Sequence, residues 1–413
     1  MRRVMNNGEL RRRDVLKALA AASAGQFLQA YSKAKAYNSA DIDDSWSSSP
    51  DLRQLTRFPE KAPLILLTDR PPQLETPLHY FRQDITPNNA YFVRWHLAGI
   101  PLEVNANEWR LEVTGSVNRQ LSLSLYDLRR RFEAVSMIAF NQCSGNSRGL
   151  FEPRVAGGQW RHGAMGNAGW KGVRLKDVLD CAGVRPHSVE VAFRGLDVPP
   201  LSATPVFEKS LTLDHARDGE VLVAYEMNGE PLPMLNGFPV RLIVPGWYAT
   251  YWVKSLSLIT VRDRPLRNFW MEKAYRIPNN PDANERPDHL SEDTIPINRF
   301  AVHSIFVSPE PGEAVSAQKP HQMQGLAMDY GSGIRQVEVS SDGGRSWRDA
   351  TLDPELGRYS WRRWRLTWTP PARGVYRCMV RATNREGVQQ LRSQWNHGGY
   401  QRSLIEHMDV RAV

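Results

Sequence analysis

The sequence predicts an α+β protein in which a mixed α+β domain is followed by an all-β sandwich. From about Leu78 to Ile277, short β-rich runs such as "WRLEVTG" and "PVRLIVPGW" alternate with brief helical patterns such as "LSLYDLRRRF" and "RLKDVLDCAG", which indicates a mixed domain. Strand-like alternation lies on both sides of Asp342-Gly343, and this dipeptide favours a tight hairpin turn. The runs "SWRRWRLTWTP" and "GVYRCMVRATN" follow at roughly the spacing of a sandwich.

The 413 residues divide into four expected segments. Residues 1–36 form a basic leader, and residues 37–77 are rich in Ser, Asp and Pro, which favours a linker or an extended arm. The mixed domain is expected over 78–290 and the sandwich over 295–413, because the polar, Pro-rich segment that separates them is typical of a domain boundary. No apolar run approaches the roughly 18 residues that a membrane span needs.

The formal net charge of +9 is concentrated in the leader. Residues 1–36 carry eight Lys and Arg residues and two acidic ones, so +6 of the charge lies there and +3 is left for the rest of the chain. A charge placed in this way does not indicate a basic binding face, and we expect no nucleic-acid partner. The hydrophobic content of 41% and the charged content of 23% are ordinary for a soluble globular protein.

The leader resembles a twin-arginine export signal. Arg12 and Arg13 stand before a mildly apolar, Ala-rich stretch, and Ala34-Lys35-Ala36 offers small residues at both positions that a signal peptidase reads. The alternative is an ordinary basic amphipathic helix. Because twin-arginine export carries proteins that are already folded, commonly with a cofactor inserted, the resemblance implies a cofactor-bearing periplasmic protein.

The three cysteines, Cys143, Cys181 and Cys378, are widely spaced. In an oxidising compartment they permit one disulfide and leave at least one thiol. The sequence contains no C-x-x-C motif, no C-x-x-C-H motif for covalent haem and no Cys/His spacing suited to zinc. A redox function would therefore need another cofactor, or a partner that carries one.

The stretch "FNQCSGNSRG", residues 140–149, places one of these cysteines in a turn. A buried strand "VSMIAF" is expected to lead into it, and Gly145 and Asn146 permit the positive φ of a sharp turn. The thiol of Cys143 is either an inert core group or, because Arg148 favours the thiolate, a nucleophile or a soft metal ligand. Signatures of Ser-His-Asp and Cys-His hydrolases are absent, which leaves a metal as the favoured functional interpretation.

Six fragments together resemble the sulfite oxidase family of molybdenum enzymes. They are "YFVRWH", "FNQCSGNSRG", "GAMGNAGWKGVRLKDVL", "VLVAYEMNGEPLP", "GFPVRLIVPGW" and "VKSL", and they occur in the family's order. The resemblance runs from about residue 85 to the C-terminus. It implies a molybdopterin-binding domain followed by an immunoglobulin-like β-sandwich, with a molybdenum-pyranopterin dithiolene cofactor.

The resemblance also assigns residues to the metal and to the anion pocket. Cys143 matches the cysteine that gives molybdenum its one protein ligand, and Arg94 matches an arginine close to the metal and its cofactor. Arg148 and Trp160 match residues of the anion pocket, and Arg381 is expected to close that pocket from the second domain. Guanidinium groups suit this role because they bond oxyanions in pairs and remain charged.

Five more positions match residues around the cofactor and the reacting centre. Tyr275 matches a tyrosine that hydrogen-bonds at the reacting centre, and His96 matches a histidine that contacts the cofactor. His215, Arg241 and Lys254 fall where the family holds the pterin and its phosphate. One departure is Gly169, which stands where the family often has a basic residue, so that one cofactor contact would have to come from Lys171 or a backbone amide instead.

The function implied by the resemblance is the oxidation of sulfite to sulfate by a periplasmic sulfite dehydrogenase. Since no haem motif occurs, electrons would pass to a separate c-type cytochrome, and the chain would form a homodimer or a complex with a cytochrome subunit. The alternatives are a sulfane dehydrogenase component of a thiosulfate-oxidising system, a methionine-sulfoxide reductase of the same superfamily, and a non-catalytic binding protein on the same fold. The methionine-sulfoxide reductase has a single domain, so residues 295–413 would have no counterpart in it, and this argues against that alternative.

Overall fold

The structure, a computed structural model, describes residue 51 and residues 53–413. The segment 1–36, for which an export signal was predicted, lies outside these residues. Within the part of the chain that the structure describes, no helix is both long enough and apolar enough to cross a membrane.

A small antiparallel sheet occupies the described part of the segment for which a linker or arm was expected. Its four strands pair in sequence order and are β1 Leu55–Thr56, β2 Leu64–Asp69, β3 Pro72–Glu75 and β4 Val93–Arg94. The apolar run "LILL" in β2 is half-buried or buried, and Leu64 and Leu74 are fully buried against Trp95. Burial of these side chains ties this part of the segment to the domain, which the Ser, Asp and Pro content did not indicate.

Two larger sheets form the body of the first domain, in the orders β10-β9-β14-β5-β6 and β12-β11-β8-β7, with β13 paired to β11. Only the β14–β5 pairing within them is parallel. The strands are β5 Leu111–Gly115, β6 Leu121–Leu123, β7 Ala134–Gln142, β8 Met165–Arg174, β9 Glu190–Gly195, β10 Glu208–Thr212, β11 Leu222–Met227, β12 Glu230–Pro231, β13 Arg241–Ile243 and β14 Leu256–Arg262.

The helices are short, and the two predicted helical patterns are confirmed. The α-helices are α1 Leu125–Arg131, α2 Leu175–Ala182, α3 Leu213–Ala216 and α4 Phe269–Glu272. Single 3₁₀ turns cover Leu78–Arg82, Arg148–Leu150, Met234–Asn236 and Ala249–Tyr251. Helix α1 begins at a capping box, in which Ser124 Oγ accepts from the Asp127 N–H (3.1 Å) and Asp127 Oδ2 accepts from the Ser124 N–H (2.9 Å). Helix α2 ends at Gly183, whose φ of +70° terminates it.

The second domain is a two-sheet β-sandwich, as predicted. Its sheets run β17-β19-β23-β22 and β18-β25-β24-β20-β21. Its strands are β17 His303–Ser308, β18 Ala314–Val315, β19 His321–Met328, β20 Ile334–Ser340, β21 Arg348–Asp349, β22 Thr351–Leu352, β23 Arg362–Trp368, β24 Gly374–Asn384 and β25 Glu406–Ala412. The predicted turn at Asp342-Gly343 lies between β20 and β21, which pair antiparallel.

The segment between the two domains is held at both ends. Its boundary strands, β15 Arg276–Pro278 and β16 Thr294–Pro296, pair with each other. The main hydrophobic core also continues from the first domain into the second, where Ile305 and Trp361 belong to the same buried cluster as Phe140. The two domains therefore share a core.

A buried ionic network joins the second domain to the turn that follows β7. Glu406 is 4% exposed and accepts hydrogen bonds from Arg402 Nε (2.6 Å) and His303 Nε2 (2.9 Å). Arg402 Nη1 also donates to the carbonyl of Leu150 (2.7 Å). Burial alone would raise the pKa of Glu406, but the Arg402 guanidinium and the imidazole of His162 hold it well below its usual value.

We expect Glu406→Gln to lower stability at pH 7 by about 3 kcal/mol, because it leaves Arg402 buried without an anion. Urea unfolding of the purified protein measures this effect. The surface variant Glu355→Gln, which loses contacts with Arg362 and Arg385, should cost at most about 1 kcal/mol. An equal loss in both variants would contradict the buried-network account.

The same network predicts acid sensitivity. The folded pKa of Glu406 lies below the usual 4.5, so below that pH the unfolded chain binds more protons and stability falls. Burial lowers the pKa of His162 from 6.5 to about 3, and this group also favours the folded state less as pH falls below 6.5. The unfolding midpoint should therefore drop between pH 7 and pH 4, and the Glu406 contribution near pH 4 should be absent in Glu406→Gln.

Candidate active site

The turn that follows β7 presents the thiol of Cys143 to a cavity. The Cys143 N–H donates to the carbonyl of Ala164 (2.9 Å), and Asn146 Oδ1 accepts from the N–H of Ala164 (2.9 Å). The positive φ of the turn, +65°, occurs at Ser147 and not at Gly145 or Asn146, where the sequence predicted it. Cys143 is 6% exposed, so its sulfur faces the interior.

The cavity collects six of the ten predicted site residues from distant parts of the chain. Its lining residues are Phe92, Arg94, His96, Cys143, Ser144, Leu235, Asn236, Arg241, Ala249, Thr250, Lys254 and Tyr275. They come from the end of β4, the turn after β7, the start of β13, the turns around Met234–Asn236 and Ala249–Tyr251, and the residue before β15.

Arg94, Arg241 and Lys254 converge on this cavity, and carbonyl groups hold the last two. Lys254 Nζ donates to the carbonyl of Arg94 (2.7 Å) and lies 4.6 Å from the centroid of the Trp95 ring. Arg241 Nη1 donates to the carbonyl of Asn236 (3.2 Å). Carbonyl dipoles and aromatic faces position these cations without cancelling their charge.

Among the described residues, no carboxylate lies within salt-bridge distance of Arg94, Arg241 or Lys254. Burial, with Arg241 nearby, lowers the pKa of Lys254 well below its usual value, and the nearby carboxyl of Asp197 opposes this shift. Burial raises the pKa of Asp197 itself. Burial also lowers the pKa of Arg241 to about 10. Burial and the charge of Arg94 lower the pKa of His96, which keeps that imidazole neutral. The folded chain thus disfavours the positive charges that it gathers here.

Several buried polar atoms around the cavity have no hydrogen-bond partner among the residues that the structure describes. They are Arg94 Nη1, His96 Nε2, Ser144 Oγ, Arg241 Nε and Thr250 Oγ1. Buried donors without partners are costly. Unpartnered donors together with unpaired cations favour a polar, anionic group bound in this cavity.

Tyr275 forms one wall of the cavity and has a φ of +58°. Its ring lies 5.4 Å from the ring of His96 and 5.6 Å from the ring of Tyr400, and the guanidinium carbon of Arg94 lies 5.9 Å from its centroid. Burial raises the pKa of the Tyr275 hydroxyl, so this group remains a protonated donor. The Lys209 ammonium is also close, 5.6 Å from the Tyr275 ring.

Arg148 lies beside this wall and not among the residues that line the cavity. Its guanidinium carbon is 4.9 Å from the ring centroid of Tyr400, and its Nε donates to the carbonyl of Gly398 (3.0 Å). Trp160 is 1% exposed and lies behind the same turn, where its carbonyl accepts from the N–H of Gly149 (2.9 Å). Arg148 and Trp160 therefore belong to, or contact, the turn that carries Cys143, without lining the cavity.

Two predicted residues lie elsewhere. His215, in α3, packs 4.5 Å from the ring of Trp247, and its Nε2 is 3.7 Å from Asp218. Arg381, expected to close the anion pocket, is instead bonded through two nitrogens to Glu338 (2.8 and 2.9 Å) on the neighbouring strand β20. The carboxylate of Glu338 pairs with this guanidinium, and Arg381 is not among the residues that line the cavity.

The sequence did not indicate which residues of the second domain contact Arg148. Gly398 and Tyr400 contact Arg148 from the second domain, but no motif marked the run "NHGGYQR". Ser144 and Thr250 were also missed, although Ser144 lies inside the fragment "FNQCSGNSRG" and Thr250 lies between the fragments "GFPVRLIVPGW" and "VKSL". Their position in or beside those fragments was the available signal.

Comparison with known proteins defines the class. Residues 96–270 match the family model "Oxidoreductase molybdopterin binding domain". Residues 294–400 match the "Mo-co oxidoreductase dimerisation domain". The fold and the cavity around Cys143 are thus those of a molybdopterin-binding oxidoreductase.

The relatives identify the family. The chain is 34% identical over 345 residues to mitochondrial sulfite oxidase of Rattus norvegicus, covering 80% of this chain and 60% of that protein. It is 36% identical over 318 residues to the enzyme of Homo sapiens, covering 74% of this chain and 57% of that protein. The chain belongs to the sulfite oxidase family, and it spans about 60% of the length of these relatives.

A solved structure supports the same fold. The sulfane dehydrogenase SoxCD from Paracoccus pantotrophus matches with a TM-score of 0.73 at 24% identity, covering 91% of this chain and 94% of that chain. Nitrate reductase [NAD(P)H] of Hordeum vulgare is a more partial match, 32% identical over 292 residues and covering 65% of this chain and 32% of that protein.

The residues present fit a molybdenum-pterin cofactor. A single buried thiol, from Cys143, is available as a soft ligand, and the unpartnered donors on Arg94, Arg241 and His96 suit the polar pterin and its phosphate. The cations Arg241 and Lys254 lie where a permanently bound anion would neutralise them. These residues could hold the group without displacing a carboxylate.

Unneutralised charge predicts opposite effects of one substitution on stability and on cofactor retention. Arg241→Met should raise the stability of cofactor-free protein by on the order of 1 kcal/mol, because an apolar side chain replaces a buried, unpaired charge. The same variant should retain little molybdenum. Thermal unfolding of cofactor-free protein and metal analysis of loaded protein measure the two effects.

The control for this prediction is Arg363→Met. Arg363 is 3% exposed, but its Nε is paired with Asp84 (2.9 Å), so this substitution should lower stability and leave molybdenum content unchanged. If Arg241→Met destabilised cofactor-free protein as much as Arg363→Met does, the cations of the cavity would not carry the cost that we assign to them.

Proposed function

We propose that this chain oxidises sulfite to sulfate with molybdenum and passes the electrons to a separate c-type cytochrome. The observation that carries the proposal is the convergence of Arg94, Arg241 and Lys254 around the single thiol of Cys143, with no described carboxylate within salt-bridge distance of any of the three cations. The overall reaction converts sulfite and water into sulfate, two protons and two electrons. Substrate and product are both oxyanions, which a pocket of fixed positive charge would bind.

The residues divide by role. Cys143 would ligate the molybdenum, and Arg241, Lys254 and His96 would hold the pterin and its phosphate. When bound, the cofactor supplies oxygen transfer and the capacity to accept two electrons. These four residues would fix the position of the cofactor, and the positive charge of Arg241 suits the negative charge of its phosphate.

The oxyanion would be held by Arg94 and Arg148. Arginine presents paired donors to oxyanions and stays charged at any working pH. Because burial raises the pKa of Tyr275, its hydroxyl remains protonated and can donate a hydrogen bond to the anion or to water at the site. Trp160 and Tyr400 would exclude bulk water from the turn that carries Arg148, which strengthens these charge interactions.

A domain match supports the proposed assembly, and the sequence of residues 1–36 supports the proposed location. The match of residues 294–400 to a dimerisation domain supports a homodimer, and a complex with a cytochrome subunit would serve the same reaction. We propose that the protein is exported in the folded state by the twin-arginine route and works in the periplasm. Arg12, Arg13 and the Ala-rich stretch after them support this location.

The central test is Cys143→Ser in the full-length, exported protein. The substitution replaces a soft sulfur ligand with a hard hydroxyl, so sulfite-dependent reduction of cytochrome c should fall by at least about a hundredfold, the loss typical when a contact at the reacting centre is removed. Stopped-flow assays measure the rate of cytochrome c reduction, and metal analysis measures the molybdenum content of each protein. Cys181→Ser provides the matched control, because Cys181 lies outside the cavity and contacts Arg119 and Arg131.

The outcomes separate the alternatives. About one molybdenum per chain with sulfite turnover in the unsubstituted protein, and loss of turnover only in Cys143→Ser, would support the proposal. Molybdenum without sulfite turnover, but with oxidation of carrier-bound sulfane, would make the chain a sulfane dehydrogenase. Absence of molybdenum from matured protein would exclude the enzyme function and favour a binding protein.

The location has its own test. Replacing Arg12 and Arg13 by Lys should retain the folded protein in the cytoplasm, because this pathway reads the arginine pair. Replacing Arg2 and Arg3 by Lys is the matched control, since it preserves charge in the same leader. Fractionation with antibody detection gives the result, and equal export of both variants would reject the twin-arginine route.

A further inference from the structure

The side chain of Arg148 passes between three glycines, two of them near it in the sequence and one in the second domain. Gly145 belongs to the same turn, Gly157 lies in the loop that follows, and Gly399 comes from the second domain. The available space at each glycine is occupied by Arg148 itself.

A side chain at any of these positions would collide with Arg148. A Cβ at Gly145 would lie 2.7 Å from the guanidinium carbon and both of its terminal nitrogens. A Cβ at Gly157 would lie 2.9 Å from Arg148 Nη1, and one at Gly399 would lie 2.6 Å from Arg148 Cγ. The three glycines therefore contact the side chain from its base to its tip.

Glycine is needed at these positions for two different reasons, a positive φ or a lack of space for a side chain. Gly157 and Gly399 have φ of +112° and +57°, a region that other residues rarely adopt. Gly145 is not in that region, so its backbone would accept alanine. The absence of a side chain at Gly145 is explained by the room that Arg148 needs.

Polar and aromatic contacts complete the enclosure. Arg148 Nε donates to the Gly398 carbonyl (3.0 Å), and its guanidinium lies over the ring of Tyr400, which stacks 5.6 Å from Tyr275. Within the described chain no carboxylate forms a salt bridge with Arg148. The guanidinium is thus fixed in direction and keeps its full charge for an external anion.

We infer that Gly145, Gly157 and Gly399 are positioning residues that fix the guanidinium of Arg148 for oxyanion binding. Through Gly399 and Tyr400, the second domain sets the anion affinity of a site whose metal ligand lies in the first domain. This inference rests on the proposed function, because that function makes Arg148 a substrate-binding residue.

Two matched pairs of variants of the molybdenum-loaded, full-length protein test the inference. In Gly145→Ala the added methyl group would collide with the guanidinium at the end of the long Arg148 side chain. The side chain can change rotamer, so the guanidinium should move while the fold persists. Its control is Gly357→Ala, where φ is not positive and a Cβ would meet its nearest atom at 3.4 Å. Gly399→Ala is paired with Gly387→Ala, because Gly387 also has a positive φ, +87°, but no atom within 4 Å of a Cβ.

We expect Gly145→Ala and Gly399→Ala to raise the KM for sulfite by about tenfold or more, as when one charge-assisted hydrogen bond is lost. Calorimetric titration with sulfate should show the same weakening. The kcat should change less than KM, and molybdenum content should remain at the unsubstituted level. Both control variants should bind sulfate like the unsubstituted protein.

Three results would overturn the inference. The first is a KM and a sulfate affinity in Gly145→Ala equal to those of Gly357→Ala. The second is an equal loss of sulfate affinity in Gly399→Ala and Gly387→Ala. The third is a crystal structure of Gly145→Ala in which Arg148 Nε still donates to the carbonyl of Gly398. Sulfate titration and crystallography do not require turnover. Failure of the unsubstituted protein to oxidise sulfite would therefore count against the proposed function and leave the positioning of Arg148 to be decided by these two measurements.

Discussion

The site depends on positive charge that is buried without a salt bridge to any described carboxylate, and the buried Asp197 offsets only part of the charge of Lys254 and Arg94. Arg241 is 3% exposed and lies 5.5 and 5.8 Å from the ring centroids of Trp170 and Trp252, while Lys254 lies over Trp95. Aromatic faces and carbonyl oxygens offset only part of the cost of desolvating these cations. The folded chain therefore gains most from an anion bound in this cavity, and the tightly packed walls exist to place the charges and exclude competing water.

The second domain is part of this arrangement through the turn that carries Arg148. Arg402 bonds the carbonyl of Leu150, Gly398 accepts from Arg148, and Glu406 fixes Arg402. The shared hydrophobic core keeps the two domains in register. A change in the packing of the second domain would thus reach the turn without any change to Cys143 or to the residues that line the cavity.

The sequence predicted what depends on local patterns and ordered fragments. The helical patterns at α1 and α2, the hairpin at Asp342-Gly343 and the strand before Cys143 could be predicted because each relies on periodicity or turn chemistry within a few residues. Five of the six cavity residues could be selected because they lie in the fragments that resemble the family, and Tyr275 was selected by its own match to that family. The four-stranded sheet over 55–94 was missed because a polar composition conceals the short apolar run of β2.

Long-range contacts account for the remaining errors. Arg381 looked suitable because it is an arginine on a strand, but its charge is used by Glu338 on the neighbouring strand, and strand register was not visible in the sequence. Tyr400 was missed because only folding brings it to Tyr275. Gly145 was interpreted as a turn residue, whereas the structure shows that the turn has its positive φ at Ser147 and needs Gly145 for space.

Depth distinguishes the two kinds of anion that this site is proposed to hold. Arg241 is almost fully buried, so an anion that it neutralises exchanges only when the surrounding structure opens, which suits a permanently bound cofactor. Arg148 is half-buried and is fixed by glycines, a carbonyl and an aromatic ring, none of which competes for its charge. An anion can bind there and leave without unfolding any element, and this is what a substrate oxyanion and its product both require.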